Sequence, residues 1–185
     1  VVLLSEILSN NSSIPDSKVG LYDATLERAG NGWVGGESFS HLRALLYRRS
    51  WELWKKDGYD LASSEIPENF LVRLLEAHVL VRIGDAFQFR HELMRQYLAA
   101  CWIVRESSSI KDRLDDDEVW QMGSSQQQEV FTFIAELQTT KPELQAVADC
   151  AGENIQRRSV LAGAVQTTAA RRGWKIDIAL NSRPD

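Results

Sequence analysis

The stretch Val79–Val104, VLVRIGDAFQFRHELMRQYLAACWIV, changes period halfway along. Its first part holds two short runs of β-type, VLVRI and AFQFR, joined by Gly84-Asp85. Glycine first in a two-residue connection suits a type II′ hairpin turn. Alternation puts Phe87 and Phe89 on one face of the second run and Gln88 on the other. From about His91 the spacing turns helical, with Met94, Tyr97, Leu98, Cys101 and Trp102 on one side. Arg90 and His91 therefore fall where a strand hands over to a long helix, and the first-turn amides of a helix are free to meet an anion. From residue types alone, His91 is either a ligand-facing side chain or a plain helix-start residue.

Working outward, two helices precede the hairpin. SFSHLRALLYRRSWELWKKDG carries Leu42, Leu45, Leu46, Trp51, Leu53 and Trp54 and ends at Gly58. IPENFLVRLLEA opens at Pro67 and places Phe70, Leu71, Leu74 and Leu75 on one face. A further loose helical element fits YDLASSE. Helix, helix, two-stranded wing, helix is the order of a winged-helix module, spanning residues 37–107. The fold class expected is mainly α: a winged-helix module with a short β-hairpin, followed by helical hairpins of the HEAT type.

Residues 1–36 form a separate segment. A short helix fits VVLLSEIL, then a polar cluster contains Pro15, and SKVGLYDATLERAG spaces Val19, Tyr22, Leu26 and Ala29 for a helix. Ser17 is its N-cap candidate and Gly30 its stop. GNGWVGG holds four of the eleven glycines, which places a boundary there. Residues 108–185 read as helical throughout: an acidic start in DDDEVWQM, then Val130, Phe131, Ile134 and Leu137, then a helix opened by Pro142, then a last one stopped by Gly173.

Composition bounds the function. Hydrophobic residues make 44% and charged residues 25% of 185, the balance of a globular chain. A net charge of −5 argues against bulk attraction to nucleic acid or an anionic membrane. Cys101 and Cys150 have no ligand spacing and read as buried thiols, as in a reducing compartment. His41, His78 and His91 are far apart, so no metal site is expected. No phosphate loop, nucleophile elbow or selected carboxylate pair is present, and no catalytic residue is assigned. The Arg pairs of YRRSW, QRRSV and ARRGW read as surface cations beside core aromatics. The opening is too short for a membrane span or signal peptide, and the chain reads as a piece of a longer protein.

LLEAHVLVRIGDAFQFRHELMRQYLAACWIV resembles the winged-helix segment that follows the nucleotide-binding domain in NACHT proteins of the STAND class. These are signalling NTPases that include animal NOD-like receptors and bacterial antiphage relatives. The shared pattern is a hairpin, an aromatic-x-aromatic strand, a basic or apolar residue, His, and a helix ending in Tyr/Phe-Leu-Ala-Ala. Phe87, Phe89, Arg90, His91, Tyr97, Leu98, Ala99 and Ala100 supply it in order. IPDSKVGLYDATLERA similarly resembles the family's helical-lid segment through Pro15, Leu21 and Tyr22. The resemblance implies that His91, supported by Arg90, reaches the β-phosphate of ADP on a neighbouring NTPase domain and holds a closed state. It implies ADP or ATP with magnesium bound by the parent protein, from motifs that would precede Val1. It also implies a non-enzymatic role for this segment, homo-oligomerisation on activation, a protein ligand for the helical arm, and a cytoplasmic setting. Two other readings stand beside it: a DNA-binding winged helix that reads bases through PENFLVRLLEA, and a helical scaffold that binds protein through residues beyond Ser108.

Overall fold

The structure, a computed structural model, describes residues 17–33, 38–106, 110–114, 124–150 and 155–178. Among them are eight α-helices and one two-stranded antiparallel sheet. The helices are α1 Lys18–Gly30, α2 Phe39–Lys55, α3 Glu68–Glu76, α4 Glu92–Arg105, α5 Ile110–Leu114, α6 Ser124–Leu137, α7 Lys141–Asp149 and α8 Ile155–Arg171. The strands are β1 Leu80–Ile83 and β2 Ala86–Phe89. The chain is thus mainly α with a short hairpin. No helix among the described residues is long and apolar enough to cross a membrane.

Helix α4 organises the rest. It starts at His91, whose backbone is extended (φ −132°, ψ 132°), and carries Glu92 in its first turn and Arg105 in its last. Both charges oppose the helix dipole. The sequence predicts one apolar stripe, but the structure buries every residue from Met94 to Cys101, and Ile103 as well, while Trp102 is only half-buried. The reason is enclosure. α4 lies most extensively against α2 and α6, and also touches α1, α5 and β2. A helix covered from several sides needs small or apolar residues all round, which Ala99 and Ala100 provide.

Arg95 sits in this enclosed run at 1% exposure. It is there because α2 ends against it. Asp57 takes the left-handed conformation (φ 49°), and Gly58 N–H closes onto Leu53 O at 2.8 Å. The expected stop at Gly58 is therefore reached one residue earlier, through Asp57. The Arg95 guanidinium donates to Leu53 O and Gly58 O, two carbonyls at the negative end of α2. Glu92 accepts from it at 2.6 Å, and Tyr59 lies beneath it, ring centroid at 4.5 Å.

The hairpin forms as expected, with Leu80 opposite Phe89 and Ile83 opposite Ala86. Gly84 has φ +62° and Asp85 does not share the positive φ, the pattern of a II′ turn. The helical element expected in YDLASSE divides in two. Leu61 exchanges backbone hydrogen bonds with Phe87 at 2.8 and 3.1 Å, and only Ser63–Glu65 makes a 3₁₀ turn. β2 would otherwise present unpaired backbone groups on that side, and Leu61 satisfies them while burying its side chain.

In α1, Ser17 caps the helix by accepting Gly20 N–H at 3.0 Å, and Tyr22, Thr25, Leu26 and Ala29 are buried. Gly30 proves to be the last helical residue rather than a left-handed stop. A methyl group there would run into the Phe39 ring, which itself packs edge-on against Phe70 at 5.9 Å. The two roles predict opposite signs. Were Gly30 only a helix terminus, alanine would be neutral or stabilising. Because the Phe39 ring covers it, Gly30→Ala is expected to destabilise by about 1–3 kcal/mol, measured by denaturant melts.

Towards the end of the chain, α6 and α7 touch each other across a short connection, and α8 packs on both. Thr140 caps α7 reciprocally with Glu143. The boundaries expected at 36/37 and 107/108 fall on residues outside the described set, as do VVLLSEIL, Pro15 and DDDEVWQM. A single apolar cluster runs from Tyr22 and Leu26 in α1, through α4, to Val165 and Ala169 in α8.

Candidate functional site at the wing exit

Arg90 extends the sheet by one bond, its N–H donating to Val79 O at 3.0 Å. This fixes the next residue, His91, at the mouth of α4. The carbonyl of His91 accepts Met94 N–H at 2.9 Å, which closes the first turn. Its imidazole makes no capping bond to the helix, and the residue is exposed. Arg90 is exposed too, with Nη1 3.2 Å from Nδ1 of His78. A guanidinium can only donate, so that imidazole nitrogen accepts. His78 holds a left-handed backbone (φ 58°) at the turn between α3 and β1. Arg90 and His91 are adjacent in the chain and both exposed, and the Arg90 side chain is engaged by His78.

The acid in this first turn, Glu92, is engaged by Arg95 and by Gln96 (3.2 Å). An exposed imidazole, an exposed guanidinium and the positive end of α4 can bind phosphate-type oxygens through charge-assisted hydrogen bonds. The openings beside the hairpin have the contrary character. They are lined by Asp60, Glu65, Glu68 and Asp85, with Arg82 bonded to the Gly84 carbonyl.

A second polar centre lies at the other end of α4, and periodicity did not reveal it. Asp23 of α1 accepts a two-pronged contact from Arg105, at 3.0 and 2.9 Å, and a hydrogen bond from the Tyr97 hydroxyl. Arg105 also donates to Tyr47 at 3.0 Å, and Arg43 donates to the same hydroxyl at 3.0 and 2.8 Å while pairing with Glu27. Burial alone would raise the Asp23 pKa. The hydrogen bonds from Arg105 and Tyr97 and the charges of Arg105 and Arg43 outweigh it, so the carboxyl stays below its ordinary range. Burial pushes the Tyr47 and Tyr97 hydroxyls up, and it takes the neighbouring Cys101 thiol to about 12. Cys101 is therefore a protonated packing group and not a nucleophile.

Beneath this centre Tyr22 stacks on Tyr97 at 5.3 Å, and Phe133 of α6 meets both edge-on at 5.8 and 5.6 Å. The available signal was Tyr97, Cys101 and Arg105 at successive four-residue steps, which continue a buried stripe into a charge.

Other candidates resolve into local roles. Arg48 and Arg49 both pair with Glu52, at 3.0 and 2.6 Å. Arg171 pairs with Glu136 at 2.6 Å, and Arg172 binds the end of α6. The outward face of α3 shows Glu68, Asn69, Val72 and Glu76, with Arg73 3.7 Å from Glu76. Cys101 and Cys150 are free and buried. Among the described residues no group of His, Cys, Asp and Glu is placed to hold a metal ion. No family model matches the chain, and no curated protein matches it.

Proposed function

We propose that this chain is the regulatory part of a NACHT-type STAND NTPase. In this reading α1 closes the helical lid, α2 to α4 with the hairpin form the winged helix, and α5 to α8 begin a sensor arm in a cytoplasmic defence or signalling receptor. The winged helix reports which nucleotide its NTPase domain holds. His91 contacts the β-phosphate of ADP, with Arg90 in support, and that contact is lost when ATP replaces ADP. The NTPase domain, with its magnesium and phosphate loop, would precede Val1 in the same polypeptide, and activation would assemble copies of it.

One observation carries the reading: an exposed His91 stands at the start of α4, a helix buried all round from Met94 to Cys101. Force applied at the imidazole passes straight into α4, and α4 touches α1, α2 and α6. A latch of this kind works only by favouring one state over the other, and a contact to one nucleotide provides that difference. The DNA-binding alternative has little support, because the outward face of α3 is acidic or neutral where phosphate neutralisation needs cations.

The test uses the polypeptide that carries the NTPase domain. His91→Ala is expected to reduce the fraction of protein purified with ADP bound and to raise the oligomeric fraction without ligand. Unchanged ADP occupancy and unchanged assembly would remove His91 from the mechanism.

A further inference from the structure

Beyond α8, residues 174–178 form no helix or strand and lie against α7, where Asp177 meets Gln145. Gly173 turns the chain with φ +66°, and Trp174 N–H donates to Ala169 O at 2.9 Å. From there the side chains alternate. Trp174, Ile176 and Ile178 are half-buried against the apolar core, while Lys175 and Asp177 are exposed. Arg172 lies over the Trp174 ring at 4.9 Å and is itself anchored on the carbonyls of Glu136 and Gln138.

The decisive contact comes from α7. Gln145 Nε2 donates to Asp177 O at 2.7 Å, and Gln145 Oε1 accepts Asp177 N–H at 3.0 Å. Asp149 holds the amide in this orientation by accepting from Nε2 at 2.9 Å. One side-chain amide thus reads both backbone groups of one strap residue. Such a contact is blind to the side chain at that position and selective for an extended backbone. Main-chain bonds supply affinity and the alternate apolar positions supply specificity, which is how extended peptides are recognised.

We propose that the face along α7 and the end of α8 is a peptide-binding groove, occupied here by residues 174–178 as an internal competitor. Its partner is an extended segment of another protein with an aromatic residue followed by aliphatic residues at every second position. Binding of that partner displaces the strap. The half-buried state of all three apolar strap residues and the short length of the contact make exchange easy.

The test uses the full chain and, as probe, a fluorescent peptide of sequence GWKIDI, residues 173–178. Ile176→Asp with Ile178→Asp ejects the strap while leaving the groove intact. The double variant is expected to bind the probe about tenfold or more tighter than the unaltered chain, with its helical circular dichroism unchanged. Adding Gln145→Ala is expected to weaken that binding by about tenfold, through loss of two backbone hydrogen bonds. Equal affinity of the double variant and the unaltered chain for the probe would overturn the proposal. So would loss of helicity in the double variant, because the strap would then be part of the fold and not an occupant. No nucleotide enters this measurement, so its outcome is separate from that of the His91 latch.

Discussion

Phe133→Ala is expected to cost about 3–5 kcal/mol of stability. Phe133 is fully buried, and its ring meets Tyr22 of α1 and Tyr97 of α4. Helices from all three expected segments, 1–36, 37–107 and 108–185, therefore share one aromatic cluster. Alanine there leaves a cavity in the core, and edge-on ring contacts are lost as well. The loss should reach beyond α6. In urea melts, tryptophan fluorescence, from six residues that include Trp51 and Trp54 of α2, and circular dichroism of the whole chain should shift together. A melt in which the two signals separate would contradict a shared core.

Asp23→Ala should cost about 2–3 kcal/mol near neutral pH. Removing one partner of a fully buried pair costs about 3–5 kcal/mol, and solvent screening reduces that at a site about one-third exposed. The change strips Arg105 of its two-pronged partner and leaves the enclosed Tyr97 hydroxyl without its acceptor. Tyr97→Phe, which removes only that hydroxyl, should cost about 1 kcal/mol. The pH dependence has a definite sign. The Asp23 carboxyl titrates below its ordinary range in the folded chain and near about 3.9 in the unfolded one. Its contribution is complete above the unfolded value and is lost as pH falls through the folded value. The alanine variant should therefore differ most from the parent at neutral pH, and the two stability curves should converge in acid. A difference that stayed constant from neutral pH into acid would show that Asp23 acts through packing and not through its charge.

The hairpin was legible because its information is local. Two five-residue runs, an intervening Gly-Asp and a change of period fix the hairpin and the start of α4. What was not legible depends on residues far apart in the chain. Asp23 and Arg105 are 82 positions apart, and each alone reads as a surface charge. The full enclosure of α4 follows from α2 and α6 meeting it together, which one helix's spacing cannot reveal. Gly58 looked like the stop of α2, but the left-handed residue is Asp57, because Gly58 closes onto Leu53 from the next position. The strap escaped notice for a similar reason. Trp174, Ile176 and Ile178 alternate as a strand does, but the backbone between them, at Asp177, pairs with a glutamine on a helix rather than with another strand.

His91 was legible as a position, and the structure adds that the residue is exposed at the start of α4. The most direct test of its role is the dissociation of fluorescent ADP, chased with unlabelled ADP, from the polypeptide that includes the NTPase domain. The proposed latch predicts that His91→Ala releases ADP about tenfold faster, the loss of one charge-assisted hydrogen bond, with ATP release unchanged. Equal ADP release from the parent and the variant, or an equal acceleration for ATP, would contradict it.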